Sequence, residues 1–283
     1  LPRRVLDLAP ELGVPHVATV HDFFWLSGNP TLTDADGEFT EQAFEESLNP
    51  DHPLDPGVRP RDIWEANRAF LTSARSVIFP SASARDLFAR RAEVPRPIIA
   101  PHPEPGRRPD RRPSQREPDG NVRVLALGAL SREKGADWLE AMARRTKALG
   151  RPWTLQLLGY GYRELDGVQA TGPFDASRLP ELIRDARPDV AVFLNRWPET
   201  YSYTLSFALD AGLPIVAPEI GAFRERLAGR PLTRLFPMTA SVDEIIAEVE
   251  AVLAAPPLPS HVSWPGQAES RTYYPDEYLD AFG

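Results

Sequence analysis

The apolar positions of the second half of the chain fall into short runs separated by longer mixed segments. VRVLALG at residues 122–128, WTLQLLG at 153–159, DVAVFL at 189–194 and PIVA at 214–217 are each bounded by glycine, proline or charge. Such runs predict four buried strands. Between and after them, helical spacing covers residues 134–149, with Gly150 as the stop, and 202–211 and 241–253. A further helix, capped by Asp175, runs through Ala186. Strands alternating with helices imply right-handed crossovers and a parallel sheet covered on both faces. In such a doubly wound domain the ligand lies beyond the carboxyl ends of the strands.

The first half carries less pattern. HVATVHD at residues 16–22 and SVIFP at 76–80 predict two buried strands, with a helix near 62–73 between them. Residues 23–60 read as a long, polar, proline-containing insert. Two strands do not complete a Rossmann-like unit, so earlier strands are expected upstream of Leu1, which is itself no initiator methionine. The segment 95–118 holds eight prolines and six arginines in 24 residues. It is expected to supply neither a sheet ladder nor an uninterrupted helix, and reads as a solvated linker rather than an anion-binding arm. The resulting division is a partial domain over 1–94, a Pro/Arg-rich linker over 95–120, a second domain over 121–255 and a tail over 256–283. Tyr273, Tyr274, Tyr278 and Phe282 give that tail an apolar set, expected to return toward the first domain.

Composition narrows the function. With 42% hydrophobic and 25% charged residues the chain has the balance of a globular protein with a core. The length of 283 residues suits two domains. No apolar run reaches the roughly 18–20 residues of a membrane span. A net charge of −8 disfavours a nucleic-acid binder that relies on a global positive field. Absence of cysteine excludes disulfides, thiolate catalysis and cysteine metal sites. Lysine occurs only at Lys134 and Lys147 among 32 basic residues, a bias typical of a high-GC bacterial genome, and it singles out Lys134.

The densest candidate chemistry lies in LGALSREKG at 127–135 and NRWPETYSYTLSFALDAGLPIVAPEIGAF at 195–223. Gly128 ends a strand in a turn that lets backbone amides approach a ligand, and Lys134 stands at the mouth of the next helix. A helix N-terminus favours phosphate oxygens, and a lysine adds a point charge. Tyr203 and Thr204 would offer amides, Ser202 and Thr204 hydroxyls, and Glu199 an acceptor for sugar hydroxyls. Other readings compete: Lys134 as an ordinary helix-start residue, Glu199 as a loop charge, His21 as a satisfied strand-end histidine. Asp34-Ala35-Asp36 spells a D-x-D, but before Gly37 in a polar loop it reads as an exposed turn. His21-Asp22 and Asp51-His52 lack a third ligand of fitting spacing.

These segments resemble the donor-binding domain of glycosyltransferase family 4, of the GT-B fold, and in particular bacterial surface-polysaccharide enzymes. Gly128 with Lys134-Gly135 matches the strand-end glycine and lysine-glycine of that family, and PETYSYTLSFALDAGLPIVAPEIGAFRERL its signature helix. ATVHD is similar to the end of its acceptor-domain strand. The resemblance implies an α/β GT-B fold, with two Rossmann-like domains of which the amino-terminal one is incomplete. It implies that Lys134 faces the donor diphosphate and that Glu199, the first glutamate of an E-x7-E motif, faces the donor sugar. Thr200, Tyr201, Ser202, Tyr203 and Thr204 match the amide-rich loop, Gly172, Pro173 and Phe174 the segment beside the base, and His21 the cleft histidine.

Two positions depart from the family. Ala129 stands where the family has arginine, with Arg132 near enough to compensate. The second glutamate, usually a ribose ligand, is Phe207, which either faces the ribose or fills core. The implied activity is transfer of a sugar from a nucleotide sugar to a glycan or lipid-linked acceptor, with retention, without metal or cofactor. The implied setting is the cytoplasm, with peripheral contact at the inner membrane face. The competing reading is a degenerate domain that binds a nucleotide, glycan or protein without catalysis.

Overall fold

The computed structural model describes residue 8 and residues 11–47, 60–102 and 120–255, which divide into two compact units. The expected tail over 256–283 and the Asp51-His52 pair lie outside the described residues.

The described part of the first unit is built on a parallel sheet of β1 (Val17–Thr19), β2 (Ser76–Phe79) and β3 (Pro97–Ile99), in that order. Ala18 lies beside Val77, and Ile78 beside Ile98. Its helices are α1 (Glu41–Ser47), α2 (Pro60–Ser73) and α3 (Ala82–Ala89). Every residue of β2 is buried, as a central strand requires. Ser81 caps α3 by accepting from the Ala84 N–H.

Two expectations for this unit are corrected. Proline-rich 95–118 does supply a ladder strand: the Arg96 carbonyl accepts from the Val77 N–H, and the Ala100 N–H donates to Phe79. Pro97 is tolerated because it opens a strand at the sheet edge, where its missing N–H interrupts no inner ladder. Residues 23–60 are likewise more than a polar insert. Phe23, Leu26, Leu32 and Phe44 from this stretch join Val20, Leu71, Phe79 and Phe88 in one buried cluster. Their irregular spacing hid them, because they come from a single 3-10 turn at Phe23–Trp25, a loop and the short α1.

The described residues of the second unit contain six parallel strands ordered β6-β5-β4-β7-β8-β9. In chain order its elements are β4 (Val122–Leu130), α4 (Ala136–Ala148), β5 (Trp153–Gly161), β6 (Val168–Ala170), α5 (Leu179–Ala186), β7 (Val190–Val192), α6 (Tyr203–Asp210), β8 (Ile215–Pro218), α7 (Gly221–Arg226), β9 (Thr233–Phe236) and α8 (Val242–Ala254). The four predicted strands are present and two more flank them. β6 and β9 are short edge strands with exposed polar positions, which leaves little apolar signal to read. Asp175 caps a single 3-10 turn, and α5 starts only at Leu179, with Pro180 in its first turn.

Alternation along β4 sorts the core into two layers. Val124 and Ala126 face Leu139 and Met142 of α4 and Ile245 and Val249 of α8. Leu125 and Leu127 face Ile183 of α5, Leu205 and Leu209 of α6 and Phe223 of α7. Both faces are therefore covered, and each fully buried side chain contributes about 1.5–3 kcal/mol. Ser241 and Glu244 close a reciprocal capping box at the start of α8. This strand order reverses direction between β4 and β7, so the crevice beyond their carboxyl ends is where such a sheet binds ligands.

Candidate functional site

The reversal point is built around glycines. Gly128 has φ +101, and a Cβ there would sit 3.2 Å from the Thr204 methyl. Gly159, paired with it on β5, has φ +137, and its Cβ would fall 2.0 Å from the Gly128 carbonyl oxygen. No larger residue fits at Gly159, so the two strand ends run close together and leave the first turn of α6 lying against Gly128. Beyond Leu130 the chain makes a tight turn, with the Gly135 N–H donating to Arg132 at 2.8 Å. Gly135 has φ +83, and a Cβ would sit 2.2 Å from the Leu194 carbonyl. The Arg196 N–H donates to Glu133 at 2.7 Å, which fixes the turn against the chain leaving β7.

Lys134 projects from this turn half-buried. Among the described residues its ammonium has no hydrogen-bond or ion-pair partner. Arg132 is exposed and lies 3.5 Å from Asp137, a carboxylate that also takes Arg163 at 2.6 Å. Exposed pairs of this kind are worth about 0–1 kcal/mol and leave the guanidinium exchangeable.

α6 begins without a side-chain cap. Its N-cap, Ser202, has φ +68 and ψ +89, and the Ser202 and Thr204 hydroxyls are 3.3 Å apart. Tyr203 is exposed and Thr204 half-buried. The first N–H groups of a helix have no acceptor within it and carry the positive end of its dipole. Gly172 joins the same edge, donating to the Gly159 carbonyl at 2.9 Å with open space on its own Cα. Pro173 is exposed, and Phe174 packs half-buried on the α5–α6 layer. Phe207 is also half-buried against that layer, beside Leu205 and Ala208.

The remaining expected residues belong to the first unit, which takes in residues 197–201. Trp197 joins its aromatic core, edge-on to Phe23 with centroids 6.4 Å apart. Glu199 is buried on this segment. The Thr200 hydroxyl donates to the His21 carbonyl at 2.5 Å, and the Tyr201 hydroxyl to the His102 carbonyl at 3.2 Å. His21, just past β1, is exposed and stacks on His102, with centroids 5.1 Å apart and 15° between planes. Tyr201 meets the His102 ring edge-on at 5.0 Å. The expected residues thus form two groups. Gly128, Arg132, Lys134, Gly172, Pro173, Phe174, Ser202, Tyr203 and Thr204 lie in the second unit; His21, Glu199, Thr200 and Tyr201 lie in the first.

His102 escaped the sequence reading because it sits inside the proline-rich stretch taken for linker. Its signal was there: it follows β3 much as His21 follows β1. Asp34 and Asp36 form a turn, with one Asp34 oxygen accepting the Asp36 and Glu38 N–H groups at 2.9 Å each. Asp22 is spent on a similar local bond to the Phe24 N–H. Among the described residues, no group of three or more His, Asp or Glu side chains is placed to share a metal ion.

No protein-family model and no curated protein sequence matches the chain. Solved structures do. The sucrose-phosphate synthase of Thermosynechococcus elongatus is 16% identical, with a TM-score of 0.61 over 89% of this chain and 63% of its own. HepE of Anabaena, solved with UDP-glucose, is 16% identical, with a TM-score of 0.59 over 88% and 67%. The UDP-forming α,α-trehalose-phosphate synthase of Burkholderia vietnamiensis is 13% identical, with a TM-score of 0.59 over 90% and 63%. The chain therefore spans less than two thirds of two of these three proteins. They are GT-B glycosyltransferases, and at such identities the likeness defines the fold: α/β, GT-B, with Rossmann-like parallel sheets. Among the described residues no helix is long and apolar enough to cross a membrane.

Proposed function

We propose that the chain is a glycosyltransferase that moves a sugar from a nucleotide-sugar donor to a glycan or lipid-linked saccharide acceptor. One observation carries the reading. Lys134, whose ammonium has no partner among the described residues, stands on the turn after β4; Gly128 and Gly159 near the ends of β4 and β5, and the start of α6 without a side-chain cap, lie where the six-stranded order reverses. A diphosphate needs that chemistry: cationic charge, close backbone approach and amide donors. HepE, whose solved complexes contain UDP and UDP-glucose, supports a uridine nucleotide as the first donor to try.

In this reading Lys134 and the α6 dipole stabilise the negative charge that builds on the leaving diphosphate as the glycosidic C–O bond breaks. Ser202 and Thr204 add hydroxyls, and the Gly172–Phe174 segment lies beside the base. Glu199 accepts hydrogen bonds from the donor sugar, and His21 orients donor or acceptor groups. Transfer proceeds with retention and with residues of the chain in place of a metal ion. The product belongs to bacterial surface-polysaccharide synthesis, on the cytoplasmic side of the membrane.

Calorimetric titration with UDP, GDP, ADP and dTDP tests the reading. Binding of one of them in the micromolar to millimolar range is expected; no binding to any would contradict it.

A further inference from the structure

We infer that Arg226 is a positioning residue for the start of α6, holding Ser202 in the backbone conformation from which that helix presents its first N–H groups. The inference rests on the donor-site reading above, and it concerns a residue that the motif comparison passed over.

Ser202 has φ +68 and ψ +89, a region that residues with a Cβ seldom occupy and that costs free energy to hold. No side chain caps the helix it starts. Among the described residues a guanidinium grips it from outside the helix: Arg226 Nη1 donates to the Ser202 carbonyl at 2.8 Å, and Nη2 to the Ser206 hydroxyl at 2.9 Å. Arg226 is the last residue of α7, the helix that follows β8. Its fork therefore ties the Ser202 peptide to the next turn of α6, from an element outside that helix. On the other side the Thr204 methyl abuts Gly128, close enough that a Cβ on Gly128 would be 3.2 Å away. The first turn of α6 is thus set by Gly128 on β4 and Arg226 on α7. A planar fork with fixed donor spacing satisfies both acceptors at once, whereas a lysine ammonium reaches them only as a flexible point donor.

The test compares the unmodified chain with Arg226→Met, Arg226→Lys and the double variant Arg226→Met/Ser202→Gly. UDP affinity is read by calorimetry, and amide hydrogen exchange over residues 203–206 by mass spectrometry. Arg226→Met removes both guanidinium bonds that hold the start of α6 and should weaken UDP by about tenfold. It should also speed exchange at 203–206 while β4 and β5 keep their protection. Arg226→Lys should fall between. Glycine at 202 accepts a positive φ at little cost, so the double variant should recover part of the affinity.

Three results would overturn the inference: unchanged exchange at 203–206, faster exchange throughout the second unit, or unchanged UDP affinity beside faster local exchange. If the unmodified chain binds no UDP, the donor-site reading fails and the ligand half of this inference with it. The exchange measurement then still decides whether Arg226 holds Ser202.

Discussion

The Thr200 hydroxyl donates to the backbone carbonyl of His21 across 2.5 Å. Two residues that the sequence resemblance nominates separately, one after β1 and one 179 positions later, are thus joined by a single bond in the first unit. Trp197 in the aromatic core and Tyr201 on His102 secure the same segment on either side. Glu199 lies between these anchors, so its position follows from theirs.

Thr200→Val should remove the donor, leave the His21 carbonyl unsatisfied and destabilise the chain by about 1–2 kcal/mol. Thr200→Ser should keep the bond and cost less than half as much. Urea unfolding of both variants checks this, and equal losses would show that the hydroxyl contributes nothing beyond its methyl group.

Gly135→Ala should be among the most damaging single-methyl changes in the chain. The residue sits at φ +83, and the added Cβ meets the Leu194 carbonyl at 2.2 Å. Conformational cost and backbone clash together should exceed about 2 kcal/mol. Thermal unfolding measures the loss; a variant as stable as the parent would mean that the turn carrying Lys134 is built differently.

Much of the second unit was legible because its strands are continuous apolar runs and its helices carry start and stop signals such as Ser241 and Gly150. The edge strands β6 and β9 were not, since each is short and half-exposed and leaves only two apolar residues to read. In the first unit the core residues Phe23, Leu26 and Leu32 have neither helical nor strand period, and only the packed structure gathers them. Proline content misled at Pro97, where position at a sheet edge outweighs residue type. Local motif shape did predict the close approach at Gly128 and the turn that carries Lys134, because both are written in consecutive residues. It could not find His102 or Arg226, whose partners are distant in sequence.

Phe207→Glu separates core from ribose contact. The ring packs half-buried on the layer that contains Leu205, Ala208 and Phe174. A carboxylate there should destabilise the chain by about 1–3 kcal/mol and give no gain in nucleotide affinity. Melting temperature and UDP titration, taken together, check it. Tighter binding at unchanged stability would restore the ribose-facing assignment.

Glu140 should make stability depend on acid pH. Its carboxylate accepts Arg163 at 2.9 and 3.0 Å, the Asp166 N–H at 2.8 Å and Arg144 at 3.0 Å. The Arg163 bonds first, then the Asp166 N–H, hold its pKa down to about 2, against an ordinary value of 4.5. A depressed carboxylate contributes fully above the ordinary value, and that contribution is lost as pH falls toward about 2. Glu140→Gln should therefore be less stable than the parent at about pH 7 and lose less between about pH 5 and 2. Urea midpoints across that range check it; parallel declines would contradict it.

The central claim is a diphosphate site at Lys134, and the chain supplies its own control in its one other lysine, Lys147, exposed near the far end of α4. Calorimetric titration of the best-bound nucleoside diphosphate into Lys134→Ala and Lys147→Ala isolates location from net charge. Lys134→Ala should weaken binding by about ten- to a hundredfold, or roughly 1.5–3 kcal/mol, with an unchanged melting temperature. Lys147→Ala should bind as the parent does. Equal affinities for both variants and the parent would contradict the account.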